Sequence, residues 1–569
     1  MIRALEVSIS EHESRIGGDQ IDGPWLQPTL EEAKEAARAA WTTLFAMLGD
    51  PDSGVATTAR QAVLSHLRSG VRTGVGATTL GLMETAFAAW PATEHLKVRE
   101  TVDLIAQYDS PWLDQDATAK ASHQRLLKAL EPKSFHERLV DAVGRWRSWQ
   151  GKTTFKEGEA FMSARDEELA REGLRGDVPL KAELDWLESQ DAPRGVQFMA
   201  ATGRVDVQRM LLPTLEERNR TGRGPDLTAA YLSGVVAAGG EADVDALLRR
   251  WRSAPELALS TFLAIWRIGP SDERISWLVA DVEAGRLTAN VFRWLMLGSW
   301  GAKANTDPLR ALTRSLLAMN ELAARAAALS LVLARIDAVP DAIPVLLDVL
   351  GEAVMSLASL PDPDTMLAYE WELACKRLHE GGRDSNVISA AMEALRSSES
   401  VGFADRVWTV LHPLLAARGA EIWAALTRLL ENSKDVARIL VDARGSGLLR
   451  HVPPEDVLPW IGKDRSRQIA VAEMCGAYEV PLNPLAHALI ARYGADSPAA
   501  SVIAGRAHST PSAVSSLAQF ARGQLTNARG WAHDSDPEVA RWGAKMVQQL
   551  EQSAEEFDAH EEYEKRRRT

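Results

Sequence analysis

Residues 534–550 read DSDPEVARWGAKMVQQL, and residues 50–67, near the other end of the chain, read DPDSGVATTARQAVLSHL. Both carry the phrase D-x-D-x-x-V, as Asp50, Asp52 and Val55 and again as Asp534, Asp536 and Val539. The chemistry of the phrase is that of a helix start. Asp536 can cap, Pro537 suits the first helical position, and Glu538 faces the positive helix end. Val539, Met546 and Leu550 then continue one apolar stripe with Trp542 beside it. At the N-terminal copy, Ala37, Trp41, Leu44, Phe45 and Leu48 share a face of a helix spanning 29–48, which Thr29 would cap. After the break GDPDS, Val55, Ala59, Ala62 and Val63 restart the spacing. The two runs make a helical hairpin of about 40 residues, and the separation of the two valines accommodates roughly twelve such units.

The same punctuation recurs between these ends. SDERISWLVADVEAGRLTANVFRWLML (271–297) has two striped runs around Gly285, and residues 307–336 have two more meeting at MNE. Residues 402–433 read as a pair hinged at Arg418 and Gly419, and SLPDPDT (359–365) reads as a helix boundary. Alternating β-branched runs bounded by hairpin turns do not occur. Short Gly/Pro/Asp breaks between helical runs are what stacked helix pairs need. RNRTGRGPD (218–226) and GGRDSN (381–386) are candidate joints. The tail from 551 is polar almost all round and is expected to extend the last helix into water.

With these turns and pairs in view, the chain resembles HEAT repeats. The last repeat followed by a Glu-rich helix also resembles the helical C-terminal regions of bacterial anti-phage defence proteins and large signalling NTPases. The resemblance implies an all-α, elongated α-solenoid of roughly twelve to fourteen antiparallel helix pairs with no sheet. Its divisions would be an irregular lead (1–28), HEAT-like repeats over 29–220, middle repeats over 221–400, C-terminal HEAT-like repeats over 401–550 and a charged helical tail over 551–569. The sequence departs from HEAT repeats in one respect. Ala56 and Ala540 follow the valines where those repeats place arginine, and Arg541 comes one position later, so the usual Asp–Arg ladder between repeats is not written in the motif.

Bulk composition fits. Hydrophobic residues make up 46% and charged residues 25% of 569 positions, which is globular, and the net charge of −14 opposes a surface devoted to phosphate backbones. Cys375 and Cys475 are the two cysteines, too few for a disulfide framework or thiolate metal site. The opening residues lack a signal-peptide core, and LAARAAALSLVLARI (322–336) is interrupted by Arg325 and Arg335. A cytoplasmic protein with no membrane association is expected. The 18 tryptophans, spread from Trp25 to Trp542, read as wedges between helices.

No catalytic constellation emerges, and neither a cofactor nor a metal is expected. In GRWRSWQGKT (144–153) Trp146 stands where a phosphate loop needs glycine, and the stretch reads instead as a helix ending at Gly151. GVGATTLG (74–81) lacks dinucleotide spacing and reads as an inter-helix loop. His560 sits among acids in the tail, which reads as a charged face. Two basic–aromatic clusters remain as candidate binding residues. One is Arg145, Arg147 and Lys152 with Trp146 and Trp149; the other is Arg249, Arg250 and Arg252 with Trp251. The helical reading of both turns Trp inward and its arginines outward.

The functional expectation is a non-enzymatic protein-interaction scaffold, or a sensor or regulatory subunit, whose partner is another protein such as a catalytic subunit. By resemblance its setting is a bacterial defence or signalling assembly. One alternative is a nucleic-acid binder or DNA glycosylase of HEAT-like fold, with Asp141, Arg145 and Trp149 on a shared helix face. Another is the regulatory part of a larger ATPase system.

Overall fold

In the computed structural model the two D-x-D phrases perform the same local act. At the first, Asp50 Oδ1 accepts the amide of Asp52 at 2.9 Å and Asp52 Oδ1 accepts the amide of Gly54 at 2.8 Å. At the second, Asp534 Oδ1 accepts from Asp536 at 2.8 Å and Asp536 Oδ1 from Glu538 at 2.9 Å. Each phrase satisfies amides that the following helix, Ser53–Arg72 or Pro537–Arg568, leaves without an internal acceptor. The structure describes residues 30–144, 154–296, 299–361, 363–397, 401–432, 447–475, 482–507 and 517–568.

The described residues are helical with no strand among them. The chain divides into two compact units, Met1–Ile268 and Gly269–Thr569. In each, a helix packs on the next-but-one helix in sequence, the contact pattern of stacked pairs. In unit 1, Phe155–Gly173, Gly195–Val205, Pro225–Ala237 and Ala258–Ile268 form one such row. In unit 2 one row is Thr306–Ala318, Ile343–Ala358, Asp384–Ser397 and Leu415–Asn432, and the facing row is Leu322–Ala338, Thr365–Glu380 and Val401–Leu411. Cores follow the rows. One apolar cluster extends from Ala37 to Leu130 in unit 1, and another from Ala326 to Leu550 in unit 2. Trp41, Trp251 and Trp371 are each 1% exposed and fill the spaces between helices, whereas Trp112 is 42% exposed.

The repeat length is legible in the polar contacts. Arg99 reaches Asp141 42 positions on, Arg204 reaches Glu167 across 37, and Arg377 reaches Asp337 across 40. Trp542 Nε1 donates to the Ala500 carbonyl across 42 positions, and Arg541 pairs with Asp496 across 45. An acid–base ladder between consecutive pairs therefore exists, although the residue after each motif valine is alanine.

Three expectations need correction. GVGATTLG is not a loop. The turn is confined to Gly74, at φ +76°, and a helix runs from Gly76 to Ala86 with Thr79 and Leu80 fully buried. The second run of 271–297 is a 3₁₀ segment, Ala289–Met296, following the helix Asp272–Glu283. By contrast, the pair in 402–433 is hinged at Arg418 as expected: the chain stays helical through the 3₁₀ turn His412–Leu414, and Arg418, at φ −129° and ψ 17°, is the non-helical residue where two helices meet. Finally, the tail is not solvated all round. Glu561 accepts the amide of Leu517 at 2.9 Å, Asp558 pairs with Arg522, and Ala554 is 5% exposed. Its acids cap and flank the helix Leu517–Trp531 because that helix's first amides need acceptors.

Candidate functional site

The site is built from an unusually close helix crossing in unit 1. A Cβ placed on Gly203 would lie 1.9 Å from the Tyr231 carbonyl oxygen, and one on Gly234 would lie 1.9 Å from that of Ala200. Only glycine lets the helices Gly195–Val205 and Pro225–Ala237 touch backbone to backbone. This contact fixes Tyr231, which is fully buried and donates its hydroxyl to Asp206 Oδ2 at 2.8 Å. Burial first, then the neighbouring Asp206 carboxylate, pushes the Tyr231 phenol well above its ordinary range, so the hydroxyl is a permanent donor.

Asp206 is 1% exposed and organises the loop that follows it. Its oxygens also accept the amides of Met210 at 2.9 Å and Leu211 at 3.0 Å. Winding the chain round one carboxylate forces Arg209 into the left-handed region, φ +59°. Such strain costs about 1–3 kcal/mol and persists only where the surroundings over-determine it. The same winding turns Val207 outward to 81% exposure and Met210 to 37%.

Beside the loop lies an open groove of about 270 Å³. Leu212, Leu232, Val235 and Leu247 give it an apolar floor; Arg209, Asp243 and Arg250 supply its charge. Gly240 makes room for the Arg209 guanidinium, because a Cβ there would stand 2.7 Å from Nη2. Arg250 is 68% exposed and held only loosely, 3.8 Å from Glu216, which Arg220 engages at 3.0 Å. The groove thus presents two guanidinium groups, one carboxylate and aliphatic surface, next to two outward-facing apolar side chains. It can hold an acidic and aliphatic segment; it contains no nucleophile paired with a base.

Of the sequence candidates, Arg250 lines this groove. Arg249 and Arg252 are not among its lining residues, because a helix turns each successive side chain by about 100°; both have interactions elsewhere. Trp251 points into the core at 1% exposure while Arg249 and Arg250 are exposed, as helical snorkelling requires. Arg145, Arg147 and Lys152, with Trp146, Trp149 and Gly151, lie outside the described residues. The shared face that would have included Asp141 is not available as imagined. Asp141 is 2% exposed, near the end of the helix Phe135–Val143, and its carboxylate is occupied by Arg99 at 3.0 Å and by Arg165. Val207, Arg209 and Met210 were not legible in the sequence: VDVQRM has no glycine or proline to announce a strained turn. His560 is exposed, and among the described residues no group of three or more His, Cys, Asp or Glu could hold a metal. Among the described residues, too, no helix is long and apolar enough to cross a membrane.

A larger groove of about 660 Å³ in unit 2 lies among Pro498–Ala507, Leu517–Trp531 and Pro537–Arg568. Its lysine, Lys545, is already paired with Asp496, and residues 508–516, which join two of its walls, are outside the described set.

No protein-family model matches the chain, and no curated protein matches it. A solved structure to which it is similar is a circular tandem repeat protein with novel repeat topology and enhanced subunit contact surfaces. The two align over 99% of this chain and 100% of the other at 11% identity and a TM-score of 0.13, too loose a superposition to add to the helical repeat read directly from the contacts.

Proposed function

We propose that the chain is a non-enzymatic helical-repeat scaffold or regulatory subunit that binds another polypeptide through the groove beside Arg209. The observation that supports this is the strained loop itself. A buried carboxylate and a buried tyrosine hold Val207 and Met210 outward and set half-buried Arg209, bonded to the Asp206 carbonyl, at the groove wall, so little ordering entropy is lost when a partner arrives. We further propose the setting implied by the repeat resemblance, a bacterial defence or signalling assembly whose catalytic work is done by a partner chain. The nucleic-acid and glycosylase reading is the weaker one. Asp243 lines the groove and Glu216 sits beside Arg250, so a phosphate backbone would meet carboxylates as well as guanidinium groups.

The test is a photo-crosslinking amino acid at Val207 in the native host, with one at exposed Glu159 as control. A discrete adduct is expected at Val207 and should vanish in the Arg209→Glu, Arg250→Glu double variant. Adducts no stronger than those from Glu159 would end the proposal. Duplex DNA retained at physiological salt would replace it with the nucleic-acid reading.

A further inference from the structure

The helix Thr365–Glu380 in unit 2 is apolar on two sides. One side is core: Leu367, Ala368, Trp371, Ala374, Cys375 and Leu378 are each at most 5% exposed. Trp371 anchors it, donating Nε1 to the Val354 carbonyl at 3.1 Å and meeting the edge of Phe403 at 5.3 Å between ring centroids. The other side carries Met366 at 65% exposure and Tyr369 at 53%, ending at half-buried Leu373, which also packs against the core cluster. Positions 366, 369 and 373 are i, i+3 and i+7, a single stripe two turns long, where a helix held by its opposite face has no need of apolar residues.

The electrostatics beside the stripe are incomplete in a specific way. Along this row of helices Asp337 is paired with Arg377 at 2.8 Å and Glu372 with Arg406 at 2.6 Å. Glu370, between them, receives only the Ser330 hydroxyl, at 2.6 Å. Asp364 Oδ1 caps the Leu367 amide at 2.9 Å. Among the described residues neither Glu370 nor Asp364 has an ion-pair partner, and both adjoin the Met366–Tyr369 stretch. Partial burial, with the nearby Asp364 charge adding to it, raises the Glu370 carboxyl above its usual range, as expected for an acid whose cation is missing.

We propose that this face docks a basic amphipathic helix of a partner protein. The partner's apolar residues at matching i, i+3 and i+7 spacing cover Met366, Tyr369 and Leu373, and its lysine or arginine completes the ladder at Glu370 and Asp364. The occupant follows from the surface. A straight two-turn stripe fits a helix, methionine adapts to the side chains laid on it, and the two carboxylates select cations while disfavouring an anionic membrane. The site is separate from the unit 1 groove and does not depend on it.

The experiment is fluorescence anisotropy of the full chain with a fluorescein-labelled amphipathic peptide of leucine and lysine, its leucines at that spacing. The control peptide has the same leucine and lysine composition, scrambled so that no i, i+3, i+7 run of leucines remains. Binding of the correctly spaced peptide alone is expected, weakened roughly tenfold by Tyr369→Ser and again by Glu370→Lys, with Glu370→Asp near wild type. These side chains are exposed or at the rim, so far-ultraviolet circular dichroism should confirm that the variants fold. Arg209→Glu should leave binding unchanged. No binding, equal binding of the two peptides, or indifference to Tyr369→Ser and Glu370→Lys would each overturn the proposal. Self-association of the free chain that is lost in Tyr369→Ser would overturn it in favour of a second copy as occupant.

Discussion

The acid–base ladder of unit 1 includes a buried tier beside exposed rungs such as Asp185 with Arg218, whereas in unit 2 the cross-repeat pairs at Asp348 and Asp337 keep their acids in water. In unit 1, Asp109, Asp141 and Asp166 are 0%, 2% and 2% exposed, and each is met by arginine. Arg68 and Arg72 converge on Asp109 at 2.8 and 2.6 Å, and Arg194 reaches Asp166 at 2.6 Å. In unit 2 the corresponding Asp348 and Asp337 side chains are 36% and 46% exposed. There the continuous core from Ala326 to Leu550 lies beneath charges that remain in water. The difference teaches that a cross-repeat ion pair is not one quantity. A buried pair costs little while complete but leaves a desolvated charge when one partner is lost; an exposed pair merely rehydrates.

The sharpest way to break the comparison is Asp141→Ala. It removes the carboxylate shared by Arg99 and Arg165, whose side chains are 13% and 18% exposed, and should lower stability by about 3–5 kcal/mol in urea denaturation. A loss below about 1 kcal/mol would mean that the buried ladder behaves like the exposed one. Next comes Gly203→Ala, at the 1.9 Å approach to the Tyr231 carbonyl. Separating two touching backbones should cost about 3 kcal/mol, and the displaced loop should also release the Val207 crosslink. A stable variant with crosslinking intact would show that the crossing does not position the groove.

Acidity offers a subtler probe. Burial outweighs the Arg194 contact and raises the Asp166 carboxyl from 3.8 to about 6, and its Oδ1 has no hydrogen-bond partner. The folded state therefore holds this proton more tightly than the unfolded state. The contribution is present at acid pH and is lost as pH rises through about 6. Between pH 7 and 5 the wild type should gain about 1 kcal/mol relative to Asp166→Asn, read from paired urea melts. A constant difference across that range would refute the shifted titration. The smallest effect belongs to unit 2. Asp337→Asn should change stability by about 0–0.5 kcal/mol and its remaining effect should fade in added salt. A loss comparable to Asp141→Ala would erase the distinction between the units.

Local chemistry made much of the architecture readable. The caps at Asp52 and Asp536, the buried faces from Ala37 to Phe45 and from Val539 to Leu550, and the boundary at 359–365 all depend on residues within a turn or two of one another. For the tail and for Asp141 the deciding partner was distant in sequence. The tail helix is covered because Glu561 finds the Leu517 amide, 44 positions away. Asp141, which looked like a candidate for a working face, is consumed by Arg99 and Arg165.

The candidate site divides in the same manner. Arg250 stood out in the sequence because arginines cluster around Trp251. Its groove partner Arg209 did not, because nothing in VDVQRM reveals that Tyr231, 25 positions on, will return to hold Asp206. Periodicity and capping, which act through neighbours a few residues apart, determined an all-α stack of helix pairs from the sequence alone. Which carboxylates are buried, where the backbone is strained, and which apolar stripe is left uncovered were decided only by tertiary packing, since each depends on what another repeat removes from water.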